Sequence, residues 1–164
     1  MGASKNKGAK YKEKPYTGIK TGGSPVQTIQ IGGDPDSIMQ FSPSWRFLRC
    51  DLSGRWAFNE ERLDKVFWNE IFPKLQDFER MTWSDILVKG QKQNHNIEPD
   101  NLNKDAQDRL AKLHIEAAAI CSLRLSGAQR IYGYMEGPIY YILWYDDNHG
   151  DNDTCVCRSY KKHT

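Results

Sequence analysis

Apolar and polar positions follow two different rhythms along this chain, helical in its middle and alternating towards its end. From Asn59 onward, Leu63, Phe67, Ile71, Leu75 and Phe78 recur at three- and four-residue steps, which predicts an amphipathic helix. Asn59 serves as its N-cap, and Glu60 and Glu61 put carboxylates in the first turn, where the helix dipole favours them. Pro73 falls inside the run, so a kink or break is expected there. Thr82-Trp83-Ser84-Asp85 matches a capping box that opens a short second helix, and Gly90 ends it before a polar loop containing His95 and Pro99. A third helix fits residues 102–113, with Leu102, Ala106, Leu110 and Leu113 on one face and His114 as a favourable charge at its end.

The period then becomes two. Residues 122–125 and 129–135 read as strands joined through Ser126-Gly127, and Glu136-Gly137 turns the chain into residues 138–145. In that last strand both alternating sets are apolar, which predicts a central position in a sheet. Upstream, residues 45–52 read as a strand ended by Ser53-Gly54, and residues 154–158 as a final short strand with Cys155 and Cys157 on one face. A strand, two to three helices and then three to four antiparallel strands define the α+β class, with the helices on one side of the sheet.

Length and composition refine this picture. The 164 residues suit one domain with a tail: residues 1–24 as a flexible basic arm, residues 25–41 as a linker in which 26–31 can add an edge strand, and residues 42–164 as a single α+β domain. Five tryptophans exclude a low-complexity chain. No apolar run approaches the ~18–20 residues that span a bilayer, and no signal-peptide pattern is visible near Met1, so the expected location is cytoplasmic, with no membrane partner. The net charge of +2 conceals an asymmetry: residues 1–31 carry six lysines against Glu13 alone, leaving a net −3 on the rest. Lysines such as Lys5, Lys7 and Lys10 can contact nucleic acid by releasing counterions from phosphates.

The four cysteines do not suggest a disulfide framework in a reducing compartment. A metal reading would use His149, Cys155, Cys157 and His163, but Cys-x-Cys lacks the spacer of the usual zinc knuckle, so no metal or other cofactor is expected. Glycine-rich nucleotide loops, the Gly-x-Ser-x-Gly elbow and His-Glu-x-x-His are absent. The C-terminal third instead collects Arg124, Arg130, Tyr132, Tyr134, His149, Lys161, Lys162 and His163. Such a set suits RNA cleavage without a metal. Attack by a 2′-hydroxyl needs a base, the leaving oxygen needs an acid, and the developing charge needs fixed cations. Histidine moves protons near neutral pH, arginine grips phosphate through a planar fork, and exposed aromatics such as Tyr132 and Tyr134 can hold unstacked bases.

The segment Leu123-Arg124-Leu125-Ser126-Gly127-Ala128-Gln129-Arg130-Ile131-Tyr132-Gly133-Tyr134, with Gly137 in the following turn, resembles the later strands of RelE/ParE-like toxins, and the order of elements over residues 45–160 is similar as well. That resemblance implies a toxin-like endoribonuclease of bacterial or phage origin that acts on RNA, free or on the ribosome, and is held inactive by an antitoxin protein. By position it makes Arg124 and Arg130 phosphate-stabilising and gives acid–base work to His149 or to Lys161 and His163, with Lys162 on the nucleic acid. The segment Phe78-Glu79-Arg80-Met81-Thr82-Trp83-Ser84, with Leu143-Trp144-Tyr145-Asp146 and His149, also resembles uncharacterised bacterial and prophage proteins. The competing expectation is a non-enzymatic nucleic-acid or protein binding module of a mobile element.

Overall fold

In a computed structural model, which describes residues 35–150 and 153–157, the elements run α1 (Pro35–Ile38), β1 (Ser44–Arg46), α2 (Glu60–Val66), a π-helical turn (Phe67–Ile71), α3 (Phe72–Glu79), a second π-helical segment (Ser84–Lys89), β2 (His95–Ile97), a 3₁₀ turn (Pro99–Asn101), α4 (Lys104–Lys112), β3 (Ile120–Ser126), β4 (Gln129–Glu136) and β5 (Ile139–Asp146). The class is α+β, as the pattern predicts. The expected strand at 26–31 and the residues Lys5, Lys7, Lys10, Lys161, Lys162 and His163 lie outside the described residues.

The strands form one mixed sheet of order β1-β5-β4-β3-β2. β1 pairs parallel with β5, and the other neighbours pair antiparallel. β5 therefore has a strand on each side, and both its faces are covered, with Tyr140, Ile142 and Tyr145 in one core and Leu143 and Trp144 in the other, which is why neither is polar. The helices cover both faces rather than one. Leu63, Ile71, Leu75, Phe78 and Ile86 pack on Cys121, Leu123, Ile131 and Ile142, while Ala106 and Leu110 of α4 pack with Leu102 on Ile120, Tyr132, Leu143 and Trp144.

A β-bulge makes this division possible. Tyr132 pairs with Trp144 but Gly133 with Ile142, so Leu143 is the extra residue in β5. Leu143 and Trp144 consequently both enter the α4-side core, and beyond them the alternation is reset. Gly133 faces the bulge because a Cβ there would meet the Tyr141 carbonyl and the Tyr140 ring.

Three expected elements differ. The strand predicted over 45–52 stops at Arg46, because the chain turns (Cys50 N–H to Phe47 C=O, 3.0 Å) to bring Asp51 under α4. The expected polar loop contains β2, whose three residues are too few to show a period. Residues 153–157 do not form a strand. Their only ladder contact among the described residues is a bridge between Leu102 and Cys157, and their backbone is held by other groups. Asn103 N–H donates to Val156 C=O (2.8 Å), Val156 N–H to the Asp146 carboxylate (2.9 Å), and the Trp56 indole to Thr154 C=O (2.9 Å). Within the helical region, Asn59 caps α2 through Arg62 N–H, Pro73 falls at the start of α3 after the π-helical turn, and Thr82 and Asp85 cap each other reciprocally.

Candidate functional site

The register of the sheet assembles two rows of side chains on its α4-side face. His95, Ser122, Tyr132 and Trp144 are aligned across β2, β3, β4 and β5, and Arg124, Arg130 and Asp146 are aligned one step further along. Directly paired residues point to the same face, so the two guanidinium groups lie side by side. Helix α4 packs over the first row near Tyr132 and Trp144. The second row lies at the β3–β4 hairpin, where Gly127 takes φ +46° and a second bulge falls between Arg124 and Ser126.

Arg130 is buried, with 8% of its surface exposed, and its Nη1 donates to the carbonyls of Gly127 and Gln129 (both 2.9 Å). Burial, followed by the charge of Arg124, lowers its pKa. Arg124 is half-buried, and its backbone N–H donates to the Asn94 side chain (2.8 Å). Asn94 also donates to Ile86 C=O (3.3 Å), so one buried amide ties the second π-helical segment to β3 and sets the start of β2. Among the described residues no carboxylate forms an ion pair with Arg124 or Arg130. Like charges opposite each other cost stability, so the pair is an electrostatic debt that an anion would relieve.

His149 reaches this centre from the loop after β5. Its backbone N–H donates to Ala128 C=O (3.0 Å), docking the loop on the hairpin. Its Nδ1 is 3.2 Å from the Tyr132 hydroxyl and 3.5 Å from the Cys157 Sγ, and Tyr132 donates to that sulfur (3.4 Å). The bridge that residues 153–157 make at Leu102 is thus what places the thiol. Burial first, then the charges of Arg130, His95 and Arg124, lowers the His149 pKa. His95 is exposed on the edge strand, and its pKa is lowered by desolvation and then by Arg130. An imidazole held neutral near pH 7 is able to accept a proton.

Tyr132 requires a correction of role. Its ring is fully buried in the α4-side core, so it offers no platform for a base, and burial followed by the neighbouring Cys157 raises its pKa. Tyr134 is half-buried and stacks on Tyr141 (5.1 Å, 7° between planes). At the start of the acidic loop, Asp146 stands opposite Arg130 and its charge acts on that guanidinium. Asp146 is buried and accepts the N–H groups of Asn148 and Val156, and Asp147 pairs with Arg62 (2.9 Å). Sequence reasoning left His95 without a role and missed the placement of Asn94 and Cys157, because only pairing across the sheet brings them to the arginines. Among the described residues no three His, Cys, Asp or Glu side chains converge to hold a metal ion, and no helix is long and apolar enough to cross a membrane.

Comparison with protein-family models, with curated proteins and with solved structures gives no match to this chain.

Proposed function

We propose that the chain is an endoribonuclease that cleaves RNA by acid–base chemistry without a metal, acting in the cytoplasm in the manner of a toxin under antitoxin control. The observation that carries this reading is the Arg124–Arg130 pair, two adjacent guanidinium groups without a carboxylate partner among the described residues, with His149 beside them. Fixed cations of this kind stabilise the charge that develops on a phosphate in the transition state, and removing one such group typically costs ~10²–10³ in rate. His149 supplies a proton-transfer group whose Nδ1 side is already held by Tyr132 and Cys157.

The test is to incubate the purified full chain with total bacterial RNA and to express it in bacteria beside Arg124→Gln. RNA fragmentation and growth arrest with the wild type alone support the reading. Intact RNA in both settings removes it.

A second reading, a protein-binding module, is favoured by one surface. Phe47 (46% exposed), Trp68 (66%) and Phe72 (39%) are linked through Phe67 at ring separations of 5.0–6.5 Å. Retention of a partner by the wild type but not by Trp68→Ser, with RNA left intact, would favour this second reading.

A further inference from the structure

We infer that the chain pairs with a second copy of itself through the aromatic surface around Trp68, as a two-fold dimer centred on Phe47, Leu48, Trp68 and Phe72 of each copy. The inference rests on the second reading for its surface, commits that surface to one occupant, and is independent of the ribonuclease reading. Phe47 and Phe67 pack against Phe58, in the core that holds Ile131 and Ile142 on the side of the sheet opposite α4. Arg124 and Arg130 lie on the α4 side, so the dimer leaves both of its candidate sites uncovered.

The argument begins with local structure. Trp68 and Phe72 stand four residues apart and in ring contact (5.5 Å), and Phe67 links them to Phe47 (6.5 Å). Leu48 follows Phe47 in the loop after β1 and is 85% exposed, so its side chain projects from the surface. Two departures from regular helix fall at these rings. Asp64 takes φ +37°, which strains a residue that has a side chain, and Phe67–Ile71 is the π-helical turn. Irregularities of both kinds gather at functional surfaces.

Area and charge then select the occupant. Scaled by their exposures, three rings of ~150–250 Å² each and one leucine present roughly 450 Å² of apolar surface per copy. A standard interface buries about 800 Å² per partner, of which about 56–65% is apolar, or roughly 450–520 Å². The patch has the size of that apolar centre, and its rim supplies the rest. The rim carries both signs. Arg46 and Arg49 flank Phe47 and Leu48, Glu61, Asp64 and Lys65 precede Trp68, and Glu70 lies between Trp68 and Phe72; all are exposed. None of them forms an ion pair among the described residues. In a two-fold interface residue i meets j and j meets i. Laying the 46–49 edge of each copy on the Trp68–Phe72 edge of the other therefore brings arginines to carboxylates twice. The same carboxylates, set among the rings, oppose a nucleic acid or an anionic membrane at this surface.

The experiment is sedimentation equilibrium of the full chain in reductant, so that the free Cys50 thiol forms no bridge between copies. The wild type is expected to give twice the chain mass of 18.9 kDa. Trp68→Ser and Leu48→Ser each change an exposed side chain that the interface contains twice, and each is expected to weaken association by at least ~10²-fold. Circular dichroism checks that both variants remain folded. A second measurement needs no variant: amide exchange over residues 47–49 and 64–72 of the wild type is expected to slow as its concentration rises. A wild type that stays monomeric up to ~100 µM overturns the inference. A dimer that both variants keep, or exchange in these segments that ignores concentration, overturns it as well. Binding of a different protein by a monomeric chain would leave the second reading standing without this occupant. RNA fragmentation by the wild type is scored separately and bears on the ribonuclease reading alone.

Discussion

The Asp51 carboxylate receives Arg109 through two hydrogen bonds of 2.6 Å, at Nε and Nη2, and takes a third from the Trp144 indole at 3.0 Å. This fork joins the loop after β1 to α4 and to the bulged part of β5, on the same face of the sheet as the candidate site. Burial alone would raise the pKa of Asp51, but the hydrogen bonds from Arg109 and Trp144 outweigh it and the net shift is downward. A depressed carboxylate pKa contributes stability that is present above the unfolded value of about 3.9 and is lost as pH falls through the folded value. Arg109→Ala leaves the buried carboxylate unpaired and is expected to cost about 3–5 kcal/mol. Urea unfolding at pH 7 checks this, and wild-type melting should drop in the acid range below pH 4.

Arg124→Gln removes one of two facing cations without removing any hydrogen bond made by its side chain to the described residues. Relief of like-charge repulsion across strands is worth ~0.2–1 kcal/mol. The variant is therefore expected to melt at or slightly above the wild-type temperature while losing ~10²–10³-fold in RNA cleavage. A variant that loses stability and activity together would show that Arg124 serves the fold.

Tyr132→Phe keeps the buried ring and deletes the hydroxyl shared by His149 and Cys157. A lost hydrogen bond of this kind costs ~0.5–1.5 kcal/mol in stability. The larger effect is expected on kcat, with KM little changed, because Tyr132 positions His149 and does not touch substrate. Tyr132→Ala removes a buried aromatic ring, costs ~3–5 kcal/mol and is expected to impair folding.

Gly133→Ala puts a Cβ against the Tyr141 carbonyl and the Tyr140 ring, beside the β5 bulge. The backbone of the central strand pair cannot yield cheaply, and overpacking of this kind costs ~1–3 kcal/mol or more. Soluble yield and the urea midpoint should both fall. Gly127→Ala tests a different cause, since nothing surrounds that position and only its φ of +46° opposes the substitution.

Both His95 and His149 have pKa values held below the ordinary 6.5. Protonation therefore favours the unfolded chain, and their contribution to stability is present above about pH 6.5 and declines as pH falls through the folded values. Histidine NMR titration is expected to give low values for both, and inorganic phosphate should raise them by offsetting Arg124 and Arg130. Unchanged titrations at saturating phosphate would argue against an anion at this centre.

Local periodicity carries much of the fold. The cap at Asn59, the reciprocal Thr82–Asp85 cap, the apolar face of α4 and the alternation in β3 and β4 all depend on residues within a few positions of one another, so the sequence alone determines them. Sequence also brings Arg124 and Arg130 onto neighbouring strands through a short turn. What lies far apart in the chain was decided only by the tertiary structure. The three residues of β2 show no period of their own, yet pairing with β3 makes His95 part of the site. The bulge at Leu143 sends two successive side chains to one face, which simple alternation denies. Tyr132 reads as an exposed aromatic until α4, about 20 residues earlier, covers it, and Cys157 meets His149 only because Leu102, Asn103 and Asp146 hold residues 153–157 in place. Burial and convergence are properties of packing between distant segments, and no window along the chain contains them.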